Sequence, residues 1–325
     1  MHAERASARW LWQAVACRRA VASRSRATWV VTRSMHRDAR PYELRRISPG
    51  APRLLSLLSP VQRIRGIVRQ RNLLRQFTVR EIKGRYRGTS LGALWLVAQP
   101  LILLAIYTFL FGVIFAARWP EASSGGLEEF ALAAFSGLIV YSVFSESVAR
   151  APGLVAGFPN YVRKVVFPLE VLPAAAVLAS LAQGIIGMAL LVGAEAVFLG
   201  HVPWTAVLAP LMLLPLALLA AGTSWLLSSL GVFVRDLASV VPLLLQILFF
   251  LTPVVYPVEM VPARFRPIVA LNPVSILVDG SRGLLLFGRV PDLLPLAAVT
   301  LFGAVVFVGG LAFFLRTRHA FADAV

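Results

Sequence analysis

"VREIKGRYRGTSLGALWLVAQPLILL", residues 79–104, carries Arg80, Lys83, Arg85 and Arg87 near its start and no charge after them. The uncharged stretch continues to Ala117, giving 30 residues over 88–117. That exceeds the roughly 20 apolar residues that cross a bilayer core of about 30 Å. In hydrocarbon every backbone amide and carbonyl must be satisfied internally, so the stretch is predicted to be a membrane-spanning helix. Working outward, further runs lie at 130–145, 171–194, 196–234, 237–258 and 293–315. The long fourth run includes "GHVPWT" near its start, which leaves 206–232 for the lipid. The run at 130–145 is the shortest and needs Glu146 and the residues beyond it to reach full length. The expectation is six spans in an all-α polytopic membrane protein.

Composition agrees. The chain is 58% apolar with a mean hydropathy of +0.77, more apolar than ordinary soluble domains. A single cysteine, Cys17, excludes a disulfide framework, and His2, His36, His201 and His319 lack metal-ligand spacing. The net charge of +17 is concentrated at the front, where residues 1–90 hold 21 of the 32 Lys and Arg. These charges flank spans and no DNA-reading motif accompanies them, so nucleic acid is not the expected partner.

Charge also predicts orientation. With six spans and the N-terminus inside, the inner segments hold 27 Lys and Arg and the outer segments five. Arg150, Arg163, Lys164, Arg235, Arg316 and Arg318 fall inside even when the long N-terminal segment is ignored. Positive residues near span ends favour the cytoplasmic side, so both termini are expected there. The organisation read from the pattern is a basic, disordered extension at 1–60, an amphipathic cytoplasmic interface helix region at 61–87, a spanning domain at 88–315 and a cytoplasmic tail at 316–325.

The Arg- and Ser-rich, acid-poor opening imitates a transit peptide. It reads instead as a basic tail, or as a start upstream of Met35. It lacks the sustained apolar core of a secretory signal. Farther on, Val79, Ile82 and Tyr86 recur at helical spacing beside Arg80, Lys83 and Arg87, which sets an apolar stripe beside a basic one. Such a helix lies along the membrane surface, where a generic anchor to anionic lipid would need the same charges.

With its continuation, "FTVREIKGRYRGTSLGALWLVAQPLILLAIYTFLFGVIF" resembles the opening of the type 2 ABC-transporter permeases that export polysaccharide or polyol phosphate polymers such as O-antigen, teichoic acid and capsule. Three later pieces match in order: "NYVRKVVFPLEVLP", "VRDLASVVPLLLQILFFLTPVVYP" and "LNPVSILVDGSRGLLLFG". The resemblance covers about residues 70–316. "LTPVVYP" departs from it where the family more often has Ser before the first Pro, and the N-terminal extension is atypical.

The resemblance implies a permease that moves a lipid-linked glycan out across the bacterial cytoplasmic membrane. It implies a second copy of the chain and two copies of an ATPase subunit. The residues agree that this chain carries no ATP site of its own, because its two lysines, Lys83 and Lys164, do not sit in a G-x-x-x-x-G-K-[ST] loop. ATP and Mg would therefore come through the partner ATPase, and no cofactor is expected on this chain.

Two cytoplasmic surfaces are available to meet that partner: the helix at 70–87, with Arg80, Lys83, Arg85, Tyr86 and Arg87, and the loop at 150–168. In "GFPNYVRKVVFP", Pro159 and Asn160 signal a helix start and Pro168 ends it. By resemblance this is a coupling helix, with Asn160, Arg163 and Lys164 facing the ATPase. Read alone, it is equally an inner loop carrying positive-inside charges.

Trp95, Tyr107, Phe109, Phe111 and Phe115, with Phe249, Phe250 and Tyr256, are candidates to line a path on which sugar rings stack. Most aromatic side chains of this kind pack against helices or lipid, and Trp95 and Tyr256 also suit an interface belt. Segment 259–292 reads as short re-entrant or interfacial helices broken at Asn272–Pro273, Gly280 and Gly283, and by resemblance caps the channel. Glu195 is expected to snorkel to the outer interface. Pro100, Pro210, Pro215, Pro242 and Pro253 are expected to kink spans. Two other functions compete with this one. A membrane glycosyltransferase would need clustered loop carboxylates, whereas the five Asp form no D-x-D pair. An ABC permease for a small hydrophobic drug would share the fold, and the nature of the partner ATPase would separate the two.

Overall fold

The computed structural model describes residues 70–86, 92–116, 119–120, 126–158 and 167–321, all within the unit Pro60–Val325. Among them the regular elements are all helical. Helix α1 is Arg71–Tyr86, α2 Trp95–Tyr107, α3 Leu127–Leu154 and α4 Val171–Phe198. They are followed by α5 Leu213–Phe233, α6 Leu237–Leu251, α7 Arg266–Leu271, α8 Pro273–Leu285 and α9 Leu293–Thr317. A π-helical turn, Thr108–Ile114, prolongs α2, and a 3₁₀ stretch, Trp204–Met212, leads into α5.

Five of these stretches are long and apolar enough to cross a membrane: Val97–Ile114, Leu127–Leu154, Val171–Phe198, Trp204–Phe233 and Leu293–Ala320. The run that looked shortest in the sequence, 130–145, becomes a 28-residue helix and is the most enclosed of the five. Its extra length includes Glu128 and Glu129 in the first turn, where the helix dipole favours acids. Toward its other end Glu146 and Arg150 are paired with α1.

The predicted fifth span, 237–258, is helical only over Leu237–Leu251. Fifteen residues make about 22 Å of helix, short of a bilayer core of about 30 Å. The chain turns extended at Thr252, because Pro253 disfavours a helical residue before it and supplies no amide hydrogen. Prolines act unevenly elsewhere: Pro100 and Pro242 lie inside helices and Pro210 inside the 3₁₀ stretch.

In segment 259–292 the break at Asn272–Pro273 is present. The Asn272 side chain caps α8, accepting from the Val274 amide at 3.0 Å, and its Nδ2 donates to Thr252 Oγ1 at 2.8 Å. Gly280 and Gly283 are not breaks, since both lie inside α8. They permit close approach instead: a Cβ on Gly283 would sit 3.1 Å from the Arg289 carbonyl oxygen.

The closest helix pair is α5 with α9. A Cβ on Gly310 would fall within van der Waals radii of the Gly222 carbonyl, and one on Gly222 would strike the Val306 backbone. Small residues let the two backbones meet, which is how helices gain packing energy where lipid offers no hydrophobic drive. Serines join α5 to α3: Ser224 Oγ donates to the Ser147 carbonyl at 3.2 Å and Ser228 Oγ to that of Ala151 at 2.8 Å. By contrast α2 is the least enclosed of the spans, with Leu101, Ile102, Ile106 and Phe109 exposed.

Candidate functional site

Three places bring chemistry-bearing side chains together. The first is a cleft of about 340 Å³ between α2, α3 and α6, walled by Tyr107, Tyr141, Phe249 and Phe250, with Ser145, Glu146 and Gln246 adding polar groups. Tyr107 stacks on Phe249 at 5.4 Å between ring centroids. Phe249 in turn meets Tyr141 edge-on at 5.1 Å and Phe250 at 5.4 Å. Tyr141 donates its hydroxyl to the Leu245 carbonyl, which ties α3 to α6. The wider π turn after Tyr107 continues the aromatic row, with Phe111 at 6.5 Å from Tyr107 and Phe115 at 5.5 Å from Phe111. Gly112 allows this turn to press on α3, since a Cβ there would meet Leu127 Cδ1 at 2.6 Å.

Of the aromatic side chains singled out in the sequence, Tyr107, Phe111, Phe115, Phe249 and Phe250 are thus joined. Trp95 and Tyr256 are not part of the cleft; Tyr256 donates instead to the Phe250 carbonyl at 2.6 Å. Tyr141 was missed, lying in a run whose composition matched any span. A single phenol beside Ile139, Val140 and Phe144 was its only signal.

The second place is α1. Arg85, with a side chain only 12% exposed, donates to Glu146 on α3, to Gln183 Oε1 at 2.6 Å and to Ser180 Oγ at 2.8 Å on α4. Gln183 Nε2 donates to the other Glu146 oxygen at 3.2 Å. One turn away Glu81 pairs with Arg150 at 2.9 Å. Arg85 therefore faces the bundle, whereas Lys83 is exposed and Arg80 lies over the rings of Phe158 (5.1 Å) and Phe77 (5.8 Å). Phe77 also packs on Phe167 at 5.2 Å. Phe158 and Phe167 flank segment 159–166, so α1 holds both ends of the second surface that the sequence nominated. Asn160, Arg163, Lys164 and Arg87, and the side chain of Tyr86, lie outside the described residues.

The third is around α8. Arg282, 2% exposed, donates through Nε to the Ala133 carbonyl at 3.0 Å. Its Nη2 donates to the carbonyls of Pro253 and Val254 at 3.1 and 2.8 Å. Its guanidinium lies 3.9 Å from the centre of the Trp119 ring. The carbonyls released where α6 ends are thereby satisfied within protein, the condition under which irregular backbone persists at membrane depth. In the sequence Arg282 counted only as one outer charge. Glu195 also differs from expectation. Its side chain is fully buried rather than reaching an interface, and neither carboxylate oxygen has a partner among the described residues.

Among the described residues no group of three or more His, Cys, Asp or Glu is placed to hold a metal ion.

Residues 72–286 match the family model described as "ABC-2 type transporter". The O-antigen export system permease protein RfbA of Myxococcus xanthus is 28% identical over 267 residues, which is 82% of this chain and all of that protein. The protein of the same name from Klebsiella pneumoniae is 26% identical over 257 residues, covering 78% of this chain and 94% of its own length. The polysialic acid transport protein KpsM of Escherichia coli is 26% identical over 246 residues, covering 74% and 91% respectively.

Proposed function

The chain belongs to the ABC-2 type transporter family, and on that premise we propose that it is the membrane-spanning permease of a polysaccharide exporter in the bacterial cytoplasmic membrane. Relatives matched over nearly their whole length carry O-antigen and polysialic acid names, and this favours a glycan polymer over a small hydrophobic drug. The observation in the molecule that carries the reading is the aromatic cleft. Stacked rings flanked by Ser145, Glu146 and Gln246 offer a sugar both apolar faces and hydroxyl partners. Aromatic faces attract without demanding one geometry, which suits a polymer that must slide.

In this reading the glycan is lipid-linked and a separate ATPase subunit, in two copies, supplies ATP hydrolysis and binds Mg. Two copies of the permease form the pathway, consistent with the general prevalence of two-fold assemblies. Helix α6 is the fifth of six crossings, completed by the non-helical segment that follows it, and both termini are cytoplasmic. Helix α1 and the loop at 159–166 face the ATPase, with Arg80, Lys83, Tyr86, Arg87, Asn160, Arg163 and Lys164 available to it and Arg85 anchoring α1 to the bundle. Helices α7 and α8 then cap the opposite side.

The test is complementation of a strain lacking the permease, with polymer at the cell surface as the readout. Tyr107→Ala combined with Phe249→Ala should lower export about tenfold at equal membrane abundance, the scale of two lost ring contacts. Tyr256→Ala should leave it near wild type. Unchanged surface polymer on deleting the permease, with reduced efflux of a hydrophobic compound, would replace this reading with the drug-export one.

A further inference from the structure

The ion pairs that join α1 to α3 carry a pattern beyond simple attachment. Glu81 meets Arg150 and Arg85 meets Glu146, so the two helices run antiparallel at this contact. On each helix the acid precedes the base by four residues, one turn. Sliding α1 by one turn in one direction would bring Arg85 opposite Arg150. Sliding it the other way would bring Glu81 opposite Glu146. Either move sets like charges together while breaking both pairs, and Arg85 would also leave Gln183 and Ser180 on α4.

One-turn ratchets are a common way for packed helices to move past each other. This charge order opposes that motion in both directions. Burial strengthens the effect, since the Arg85 side chain is 12% exposed and the Glu146 side chain 33%. Glu146 has a second neighbourhood as well. It lies at the cleft with Ser145, Tyr107 and Phe249, and borders the smaller void beside Gln99 and Gln183.

We propose that the two pairs form a register lock, with Glu146 as the positioning residue through which movement of α1 is delivered to the α3 wall of the aromatic cleft. The transport consequence rests on the polysaccharide-export reading; the register itself does not. A helix free to slip would absorb a push from a partner ATPase. A helix that cannot slip passes the push on.

Two charge exchanges separate register from mere pairing. The double variant Arg85→Glu with Glu146→Arg keeps both pairs, but α1 now carries two acids and α3 two bases, so a one-turn slide again matches opposite charges. The fourfold variant, which adds Glu81→Arg and Arg150→Glu, restores the alternation with signs reversed. Spin labels placed through Gly84→Cys and Gly153→Cys, where an added Cβ meets nothing within 4 Å, report the register in the full chain purified with Cys17→Ser.

The wild-type and fourfold charge patterns should each give one narrow distance distribution. The double variant should add a second population displaced by up to about 5 Å, one helical turn. In the assembled transporter the double variant should keep ATP hydrolysis within about twofold of wild type while polymer exported per ATP falls about tenfold, since slippage separates the two. The fourfold variant carries the same Glu146→Arg change at the cleft as the double variant, and should export more polymer per ATP than the double variant does. A double variant with a single wild-type distance would overturn the lock, and so would one with wild-type export per ATP. The distance measurement needs no cargo, so it decides the register whether or not the export reading holds.

Discussion

Replacing Arg282 with leucine removes a buried cation that serves three carbonyls and one indole ring. The three acceptors are not equally dependent on it. Ala133 sits inside α3 and its oxygen also accepts from Ser136 Oγ at 2.8 Å. The Pro253 and Val254 carbonyls belong to the non-helical turn after α6, outside any helical hydrogen-bond ladder. Two stranded carbonyls cost about 2–6 kcal/mol together, at about 1–3 each. Loss of the indole contact adds up to about 2 kcal/mol when desolvated. Against this, the substitution relieves the desolvation of a guanidinium, several kcal/mol in the other direction. We expect a net loss of about 2–4 kcal/mol, or roughly 5–15 °C in the unfolding midpoint at the usual sensitivity of a domain this size.

Arg282→Lys keeps the charge but not the planar fork that reaches carbonyls on two segments, so it should fall between wild type and Arg282→Leu. Gly137→Ala should loosen the same segment, because its Cβ would lie 2.7 Å from both Arg282 Nη2 and the Val254 oxygen. Combined with Arg282→Leu its cost should be less than additive, since both disturb one contact. Thermal unfolding of the purified chain in lipid nanodiscs provides the measurement. Arg282→Leu unfolding at the wild-type midpoint would refute the account of how the break after α6 is held.

Two further outcomes are expected. With Cys17→Ser as background, a cysteine at Arg264 should react with an impermeant reagent on intact cells, or on spheroplasts where an outer envelope blocks access, and one at Arg318 only after permeabilisation; the reverse pattern would invert the orientation proposed. The double change Arg163→Glu with Lys164→Glu should leave insertion intact and abolish export, with the ATPase recovered in lower yield alongside the permease, because a like-charge contact at a protein interface costs several kcal/mol whereas charges at a lipid surface matter by about 1 kcal/mol each. Normal export and full ATPase recovery would return the loop to a positive-inside anchor.

The spans were legible because lipid imposes one rule on every residue in them. An uncharged run must become a helix, and the runs at 171–194 and 293–315 did, as did 97–114 of the first. Where that rule is satisfied by tertiary means, periodicity says nothing. The carbonyls in the break after Thr252 accept from a residue 30 positions later, and no local feature of "LTPVVYP" announces Arg282. Glu195 failed for a related reason: its nearness to the turn after α4 suggested escape to an interface, whereas tertiary packing buries its side chain fully. Candidate aromatic residues were partly legible, since Tyr107 and Phe249 were nominated by type and span. Their meeting depends on the π turn and on Pro242-bearing α6, which sequence spacing cannot place.

Arg85 marks the same boundary between charge count and charge position. In the sequence it stands with Arg80, Lys83, Tyr86 and Arg87 on a helix nominated as a whole to meet one partner. A helix of 3.6 residues per turn separates Lys83 from Arg85 by about 200°, so the two must face opposite ways. Lys83 is exposed and Arg85 is drawn to Glu146. The acid that draws it is 61 residues away, just past the end of a run first read as too short to span without it. That extra length brings Glu146 and Arg150 within reach of α1, so the feature that made α3 look marginal as a span is the one that fastens it to the interface helix.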